Sequence, residues 1–515
     1  MNKNLKTLTL VAILLAGSVA CKKSDDPAPS GGSSSGTTAL KDSIYGNVTL
    51  TADKKYELQN TVYVPSGSVL TIEPGTVITG KSQTALVIEP GAKIIAIGTP
   101  SKPIIFTSAA PAGLRARGNW GGLVLAGKAK VNSYVASSPV CEGGIRTKYG
   151  SPNSAAASVD QDNSGTLQYV RVEWAGYAPI PGSELNGITF AGVGNGTTLD
   201  YVQTSYANDD GMEWFGGSVN GKHLINFAAI DDDFDTDNGF SGCIQFGLGL
   251  RAQYEADQSG SKGFESDNDG SASTNLPLTT CQFSNMTIVG PVQAMADNAI
   301  PGSYPGNAGK PGKFAANYIA GAHLRRNSAM SIYNSVISGW NNGILIDSKA
   351  GSSGVTCANI IAGTSKMQNN IVAGISKNFA TTIGGADSRK YDAISVLNGA
   401  GDQTQTLAAN LDSTSLSWPA GTTGPNTWFY SAGNSNRYQI DFANLYTNPV
   451  QTAWGFMGAP NNFNFVPKSG SPALTGASFS NATNPFFQST NYVGAFGGTD
   501  WTATWAEFNP LNAAY

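Results

Sequence analysis

Carboxylates concentrate in three short segments near the middle of this 515-residue sequence, at residues 209–213, 231–237 and 265–269. Oxygen ligands without histidine suit a hard cation, and Ca²⁺ is the natural choice outside a cell. The spacing is not that of an EF-hand loop, and the alternative is that Asp and Asn cap turns and face solvent. The predicted Ca²⁺ ligands are Asp209, Asp210, Asp231, Asp233, Asp235, Glu265 and Asp267.

Aromatic residues lie close to these acids. Trp and Tyr beside carboxylates are typical of sugar-binding grooves, where rings stack on the apolar face of a sugar while acids accept hydrogen bonds from its hydroxyls. The alternative is that the rings fill the core of the fold. The residues predicted to bind a glycan are Trp174, Tyr206, Trp214 and Phe240.

Catalysis by the acidic segments is a second possibility. Two carboxylates can act as acid and base on a glycosidic bond, or a cation can neutralise a uronate while a base removes its α-proton. The candidate residues are Asp210, Asp233 and Arg325. The Gly-His-Gly and Arg-x-Lys pattern of polygalacturonases is absent, as are a nucleophile elbow and a phosphate loop. A non-catalytic binding module is therefore favoured over a polysaccharide lyase or glycoside hydrolase.

The composition excludes several other classes of protein. The formal net charge is -4 and no Lys/Arg cluster stands out, so we expect no nucleic-acid partner. Only two histidines are present, His223 and His323, which argues against a zinc or iron site built on imidazoles. Charged residues make up 13% of the chain against 62 glycines, which favours short strands and tight turns over exposed helices.

The elements that must position the acids are short repeated strands. Residues 69–75 read Val-Leu-Thr-Ile-Glu-Pro-Gly and residues 85–91 read Ala-Leu-Val-Ile-Glu-Pro-Gly. Further along, strands in which an aromatic residue or Asn precedes a small apolar group alternate with Asn-Gly or Asp-Gly turns. The turn glycines Gly187, Gly211 and Gly239 are 24 and 28 residues apart, which suits one coil of a β-helix. The sequence therefore predicts an all-β, right-handed parallel β-helix, with acids of successive coils about 4.8 Å apart.

The N-terminus resembles a lipoprotein signal peptide. Lys3 and Lys6 precede an apolar run at residues 8–17, and small residues lead to Cys21, which would be lipidated. Ser18 stands where such signals usually have Leu, so plain secretion is the alternative. The residues that follow, Lys22-Lys23-Ser24-Asp25-Asp26, resemble the surface-export signals of Bacteroidota-type lipoproteins. This resemblance implies a lipid-anchored protein of the outer membrane that is exposed at the cell surface, with retention in the periplasm as the alternative.

Four segments follow from these patterns. Residues 1–20 form the signal peptide and residues 21–43, rich in Pro, Ser and Gly, form a flexible tether. Residues 44–360 form the β-helix. Residues 361–515 form later coils with long loops and an irregular, aromatic C-terminal cap. The cysteines Cys141, Cys243, Cys281 and Cys357 form two disulfides in any of three pairings, or stay as buried thiols.

The chain resembles a group of Bacteroidota-type outer-membrane lipoproteins that are predicted as right-handed β-helices and mostly lack an assigned activity. The motifs that carry the resemblance are Gly118-Asn-Trp-Gly-Gly-Leu-Val-Leu125, Trp214-Phe-Gly-Gly217, Asp231-Asp-Asp-Phe-Asp-Thr-Asp-Asn-Gly239, Gly263-Phe-Glu-Ser-Asp-Asn-Asp269, Ala322-His-Leu-Arg-Arg326 and Gly494-Ala-Phe496. The resemblance implies fold and location, and it supplies no catalytic residues. We expect a surface-anchored binding or adhesion module for glycans, with a lyase or hydrolase, or an accessory subunit of an outer-membrane uptake receptor, as alternatives.

Overall fold

A computed structural model describes residues 36–179, 183–252, 255–291, 318–340, 342–347, 356–373, 394–397, 425–437, 442–444 and 463–515. The predicted signal peptide, the lipidation site Cys21 and the tether up to residue 35 lie outside the described residues. Among the described helices, none combines the length and apolar character needed to cross a bilayer.

The described chain is a parallel β-helix, as predicted. Each complete coil contributes three short strand segments, and the corresponding segments of successive coils pair in parallel. The segments therefore form three rows along the coil axis, which we number in the order in which the chain passes through them.

The strands of the first row are β2 (Asn47–Leu50), β5 (Val69–Ile72), β8 (Lys93–Ile97), β17 (Cys243–Gln245), β20 (Gln282–Ser284), β23 (Ser331–Tyr333) and β26 (Met367–Gln368). Those of the second row are β1 (Thr38–Leu40), β3 (Lys55–Leu58), β6 (Val77–Gly80), β9 (Ile104–Ser108), β18 (Leu248–Leu250), β21 (Thr287–Val289), β24 (Val336–Ser338), β27 (Ile371–Ala373) and β29 (Ser435–Arg437). Three long strands span both rows: β11 (Gly165–Glu173), β13 (Thr198–Ser205) and β15 (Asn220–Phe227).

The strands of the third row are β4 (Val62–Val64), β7 (Ala85–Ile88), β10 (Gly122–Ala126), β12 (Ile188–Ala191), β14 (Met212–Phe215), β16 (Phe234–Asp237), β19 (Ser261–Ser266), β22 (Tyr318–Leu324), β25 (Asn342–Asp347) and β28 (Ile394–Leu397). The remaining elements are an antiparallel pair, β30 (Phe442–Asn444) with β31 (Asn464–Pro467), the helices α1 (Thr356–Ile361) and α2 (Pro425–Ser431), and 3-10 turns at Ala157–Gln161 and Pro472–Leu474.

A single left-handed residue makes the bend between the first and second rows. Its φ lies between 49° and 61° in seven successive coils, at Tyr169, Tyr201, His223, Phe246, Asn285, Asn334 and Asn369. These are positions where the sequence places an aromatic residue or Asn before a small apolar group. Asn tolerates the left-handed region because its side chain can hydrogen-bond locally. The aromatic members stack instead, with the Tyr169 and Tyr201 rings 4.5 Å apart and the Tyr201 and His223 rings 4.2 Å apart.

The interior of the coils is apolar and continuous. Alternate residues of each strand point inward, so that Leu70 and Ile72 of β5, for example, are buried while their neighbours are partly exposed. Because no coil can enclose its apolar residues alone, stacking supplies the hydrophobic stabilisation. The four cysteines of the described chain are buried free thiols, which decides between the two predictions for them.

The C-terminal segment does not cap the end of the β-helix, which corrects the sequence prediction. Residues 471–515, the C-terminal strap, lie instead along the outer face of the first and second rows. Three side-chain amides of the coils each donate to a strap carbonyl and accept from a strap N–H. These clamps join Asn334 to Ser478, Gln245 to Gln488 and Gln203 to Glu507, with distances of 2.7–3.0 Å. The last described coils therefore lie at one end of the strap, and the early coils lie near its other end.

Candidate metal centre

The third row aligns acidic side chains from successive coils. Parallel pairing places Glu213 of β14 beside Asp235 of β16, and Asp235 beside Glu265 of β19. The strand neighbours Trp214 and Phe234 are inside the coils, so the acids point outward. These outward acids, with the aspartates of the two preceding turns at residues 209–210 and 231–232, form what we call the acidic face. The predicted stacking of acids on successive coils is thus present.

The turns before β14 and β16 continue this alignment. Asp210 accepts a hydrogen bond from the backbone N–H of Asp232 in the next coil at 2.7 Å. Asp232 in turn accepts from the N–H of Lys262 one coil further on, at 2.6 Å. Each carboxylate therefore uses one oxygen to join two coils, and the other oxygen of Asp232 accepts from Lys262 Nζ at 3.3 Å.

Three overlapping sets of carboxylates have a geometry suited to one metal ion each. In each set, one oxygen per residue lies within 4.8 Å of the others. Two oxygens bound to one Ca²⁺ at about 2.4 Å can be no more than about 4.8 Å apart, so the sets fit this cation. The first set is Asp209, Asp210 and Asp231; the second is Asp210, Glu213 and Asp235; the third is Asp232, Asp235 and Glu265. Five of the seven ligands predicted from the sequence belong to these sets, which also contain two residues that were not predicted, Glu213 and Asp232.

The third set is already neutralised by basic side chains. Lys262 Nζ lies 3.3 Å from Asp232 Oδ2 and also contacts Glu265, which pairs in addition with Arg325. Burial acts to raise the pKa of Glu265, but Arg325 and Lys262 overcome it and hold that pKa at about 2. The two bases therefore take the place that a cation would have there.

In the part of the chain that the structure describes, no basic side chain forms an ion pair with the second set. Burial raises the pKa of Asp210, Glu213 and Asp235 well above their ordinary values, and neighbouring carboxylates raise each further. Asp235 Oδ1 is shielded from solvent and has no hydrogen-bond partner in the described part of the chain. Like charges this close repel unless a cation or a proton intervenes. The second set is therefore the strongest candidate for a bound cation.

A fourth carboxylate reaches the second set from outside the coils. Glu142 lies in the long insertion between β10 and β11, and Asn186 Nδ2 bridges Glu142 Oε1 at 2.9 Å and Glu213 Oε2 at 2.5 Å. Burial raises the pKa of Glu142 to about 7. Sequence reasoning missed this residue because it lies far from the acidic segments in the chain and in no repeated pattern.

Two predicted ligands belong instead to ion pairs. Asp233 is fully buried and binds Arg251, with Oδ1 and Nη1 2.9 Å apart. Asp267 binds Arg325 at 2.8 Å and Arg326 at 2.6 Å. Since its guanidinium also contacts Glu265, Arg325 is held in place rather than poised to take a proton. The geometry therefore argues against Asp233 and Asp267 as ligands, and against Asp233 and Arg325 as catalytic residues.

The predicted glycan-binding rings do not form an exposed surface. Trp214 and Phe240 stack inside the coils with centroids 5.4 Å apart. Trp174 and Tyr206 stack at 4.5 Å on the outer side, in the apolar cluster that also contains Trp505 of the C-terminal strap. All four side chains are at most 1% exposed, so none can stack on a sugar in this conformation. The alternative prediction, that the rings fill the core of the fold, describes Trp214 and Phe240, whereas Trp174 and Tyr206 are buried outside the coils.

The chain is a parallel β-helix whose third row carries carboxylates on its outward side, most of them buried. Residues 42–423 match the family model of the pectate-lyase-like β-helix domain, and the chain belongs to this family. Searches of curated proteins and of solved structures found no match.

Proposed function

We propose that this protein binds Ca²⁺ at the acidic face and uses the bound ion to hold a carbohydrate without cleaving it. Membership in the pectate-lyase-like β-helix family fits a function related to carbohydrates. The observation that carries the proposal is the second carboxylate set, Asp210, Glu213 and Asp235. One oxygen of each residue lies within 4.8 Å of the others, and within the described segments no Lys or Arg forms an ion pair with the set.

The choice of Ca²⁺ follows from the ligands. All three are carboxylates, which suit a hard cation, and an exported protein meets Ca²⁺ at high concentration. Ca²⁺ takes six to eight oxygens, so a set of three carboxylates leaves positions for other donors. Sugar hydroxyl or uronate oxygens can occupy those positions, which couples carbohydrate binding to the ion.

The spacing of the acids supports binding rather than hydrolysis. The paired carboxyl groups of glycosidases are about 5–5.5 Å apart in retaining enzymes and about 6.5–9.5 Å apart in inverting ones. In the second set, one oxygen of each of three carboxylates lies within 4.8 Å of the others, an arrangement that suits a shared cation better than a pair of acids flanking a glycosidic bond. The nearby bases Lys262 and Arg325 are both held in ion pairs, so neither is available to remove a proton.

Calorimetric titration with Ca²⁺ tests the metal centre. We expect saturable binding to the wild type and at least about tenfold weaker binding to Asp235→Asn, since the loss of ligand charge lowers Ca²⁺ affinity. Asp200→Asn is the matched control, because Asp200 is a partly exposed aspartate of β13 that pairs with His223 away from the third row. An absence of Ca²⁺ binding, or equal affinity in Asp235→Asn, would contradict the proposal.

Carbohydrate binding is tested on a glycan panel that includes acidic polysaccharides. We expect retention in Ca²⁺, loss in EDTA, and loss in Asp235→Asn. Reducing-end and unsaturated-product assays on the same panel test the absence of cleavage. Product release that is abolished by Asp210→Asn would show that the protein is an enzyme.

We also propose that the protein is anchored by lipid at Cys21 and displayed at the outer-membrane surface, as the N-terminal signal indicates. Fractionation of cells that express Cys21→Ser tests the anchor, and the expected result is release into the soluble fraction. Membrane association that persists in this variant would contradict lipidation. Protease treatment of intact cells tests surface display, since a surface protein is digested and a periplasmic one is protected.

A further inference from the structure

Lys262, in β19, is a lysine that the fold withdraws from solvent. Its side chain is 2% exposed, whereas Lys81 and Lys130, which also pair with carboxylates, are 49% and 19% exposed. A lysine is almost never fully buried unless its charge is paired. The groups that contact Lys262 Nζ therefore decide what this side chain does.

Two buried carboxylates contact this nitrogen, one from the preceding coil and one from the same strand. Asp232 Oδ2 lies 3.3 Å from Lys262 Nζ, and Glu265 Oε2 contacts the same atom. The backbone fixes the approach, because Asp232 Oδ1 accepts from the N–H of Lys262 at 2.6 Å. In addition, the N–H of Asp233 donates to the carbonyl of Lys262 at 3.2 Å. The amine of one coil and the carboxyl group of the other are thus held in contact, away from bulk water.

This arrangement supplies the groups that formation of an amide from Lys and Asp requires. The N–H of Lys262 polarises the Asp232 carboxyl group and stabilises the negative charge that develops on Oδ1 when an amine adds to Cγ. Glu265 touches Nζ, and one of its oxygens lies within 4.8 Å of an Asp232 oxygen, so it can move protons between the two. Arg325 binds the other oxygen of Glu265 and holds this carboxylate in place.

We infer that Lys262 and Asp232 condense to an isopeptide bond that joins two successive coils, with Glu265 as the proton carrier. A bond forms between Nζ and Cγ, and the bond between Cγ and Oδ2 breaks. Oδ2 leaves as water with two protons from the ammonium group, so both charges are lost and no other reactant is consumed. Burial favours this step, because a buried ion pair carries a desolvation cost that a neutral amide largely avoids.

The cross-link closes a loop of residues 232–262, which contains β17 and β18 of the first and second rows. A covalent bond of this kind limits the conformations of the unfolded chain, as a disulfide does. The described cysteines are free thiols, so the isopeptide bond supplies a covalent constraint that the cysteines do not.

Mass spectrometry of a tryptic digest of the denatured full-length chain tests the bond. Trypsin cleaves after Lys222 and Arg251 but does not cleave after an acylated lysine. We therefore expect residues 223–251 to be joined to residues 252–313 in one branched peptide, lighter than the sum of its two parts by one water molecule. In Lys262→Arg, which keeps the charge but lacks the amine, we expect linear peptides only.

Glu265→Gln tests the proton carrier, since the amine and the Asp232 carboxyl group both remain. We expect at least about tenfold less branched peptide in freshly purified protein, because a positioned acid–base group contributes about a hundredfold or more to such a step. Lys130→Arg is the matched control, since it changes a lysine that pairs with Asp160 at a more exposed position. The branched peptide should persist in this variant.

The wild type alone can overturn the inference, whether or not the variants fold. Complete cleavage after Lys262, with only linear peptides, would show that no bond forms. A loss of water within a linear peptide would place the bond between Lys262 and Glu265, or a cyclic imide at Asp210-Gly211, and would exclude Asp232 as the partner. An equal yield of branched peptide in Glu265→Gln would exclude Glu265 as the proton carrier. The digest is made in EDTA, so its result is independent of the proposed Ca²⁺ site.

Discussion

Replacing Arg251 by Met tests the conclusion that Asp233 is a structural anchor and not a metal ligand. Both side chains are fully buried, with Nη1 and Oδ1 2.9 Å apart. The other guanidinium nitrogen donates to the carbonyl of Ile230 at 3.0 Å, and the rings of Tyr318 and Trp340 lie over the guanidinium. Methionine fills much of the same volume, so the substitution mainly removes the charge and its hydrogen bonds.

The expected loss in the free energy of unfolding is about 3–5 kcal/mol, because a buried carboxylate is left without its charged partner and keeps only the amide of Asn226, at 3.2 Å. The double variant Arg251→Met/Asp233→Asn removes both charges. We expect it to be at least about 2 kcal/mol more stable than Arg251→Met alone, since its remaining polar group is neutral. Urea unfolding in EDTA, followed by far-UV circular dichroism, measures both differences.

The loss in Arg251→Met should also depend on pH. Burial raises the pKa of Asp233 to about 6 even with Arg251 opposing it, so removing Arg251 raises that pKa further. Above the unfolded pKa of about 4, the folded variant keeps a proton that the unfolded chain releases, and stability falls as pH rises. The loss should therefore be larger at pH 8 than at pH 5. A loss under about 1 kcal/mol that is equal at both pH values would refute the assignment of Asp233 as a buried anchor.

Three further predictions concern the acidic face and the strap. In EDTA, the wild type should melt at a lower temperature at pH 8 than at pH 5. Burial raises the pKa of Glu142 to about 7 and that of Asp237 to about 8, so the folded state holds protons that the unfolded chain has lost. A higher melting temperature at pH 8 would contradict this prediction. Lys262→Gln removes a base that neutralises the third carboxylate set, so calorimetry should show a second Ca²⁺ bound per chain. An unchanged stoichiometry would mean that Arg325 alone neutralises the third set. Trp505→Ala should lower the melting temperature by roughly 3–5 °C, because truncating a buried Trp lowers the free energy of unfolding by about 3–5 kcal/mol. An unchanged melting temperature would show that the strap adds no stability.

The fold was predictable because its signal repeats along the chain. The Pro-Gly turns at residues 74–75 and 90–91 separate adjacent strands, and the left-handed bends fall where aromatic residues or Asn recur. The alignment of acids followed from the same repeat, since parallel coils in register bring equivalent positions together.

The errors have physical causes of two kinds. Adjacent strand residues point to opposite faces, so an outward Glu213 requires an inward Trp214, and an aromatic residue next to an acid cannot share its surface. This rule could have been applied to the sequence. By contrast, the partners of Asp233 and Asp267 and the approach of Glu142 depend on contacts between distant parts of the chain, which no local pattern encodes.

The amide clamps of the C-terminal strap make the number of coils between them a fixed quantity. Two coil steps separate Gln203 from Gln245, and two more separate Gln245 from Asn334. An extra coil between any two clamps would lengthen the coil axis by about 4.8 Å while the strap kept its length. Most solenoids can gain or lose a repeat because each repeat contacts only its neighbours. Here the strap has a fixed length and is bound to the coils at three clamps. A duplicated coil between Gln203 and Asn334 would therefore leave at least one buried side-chain amide without its backbone partner.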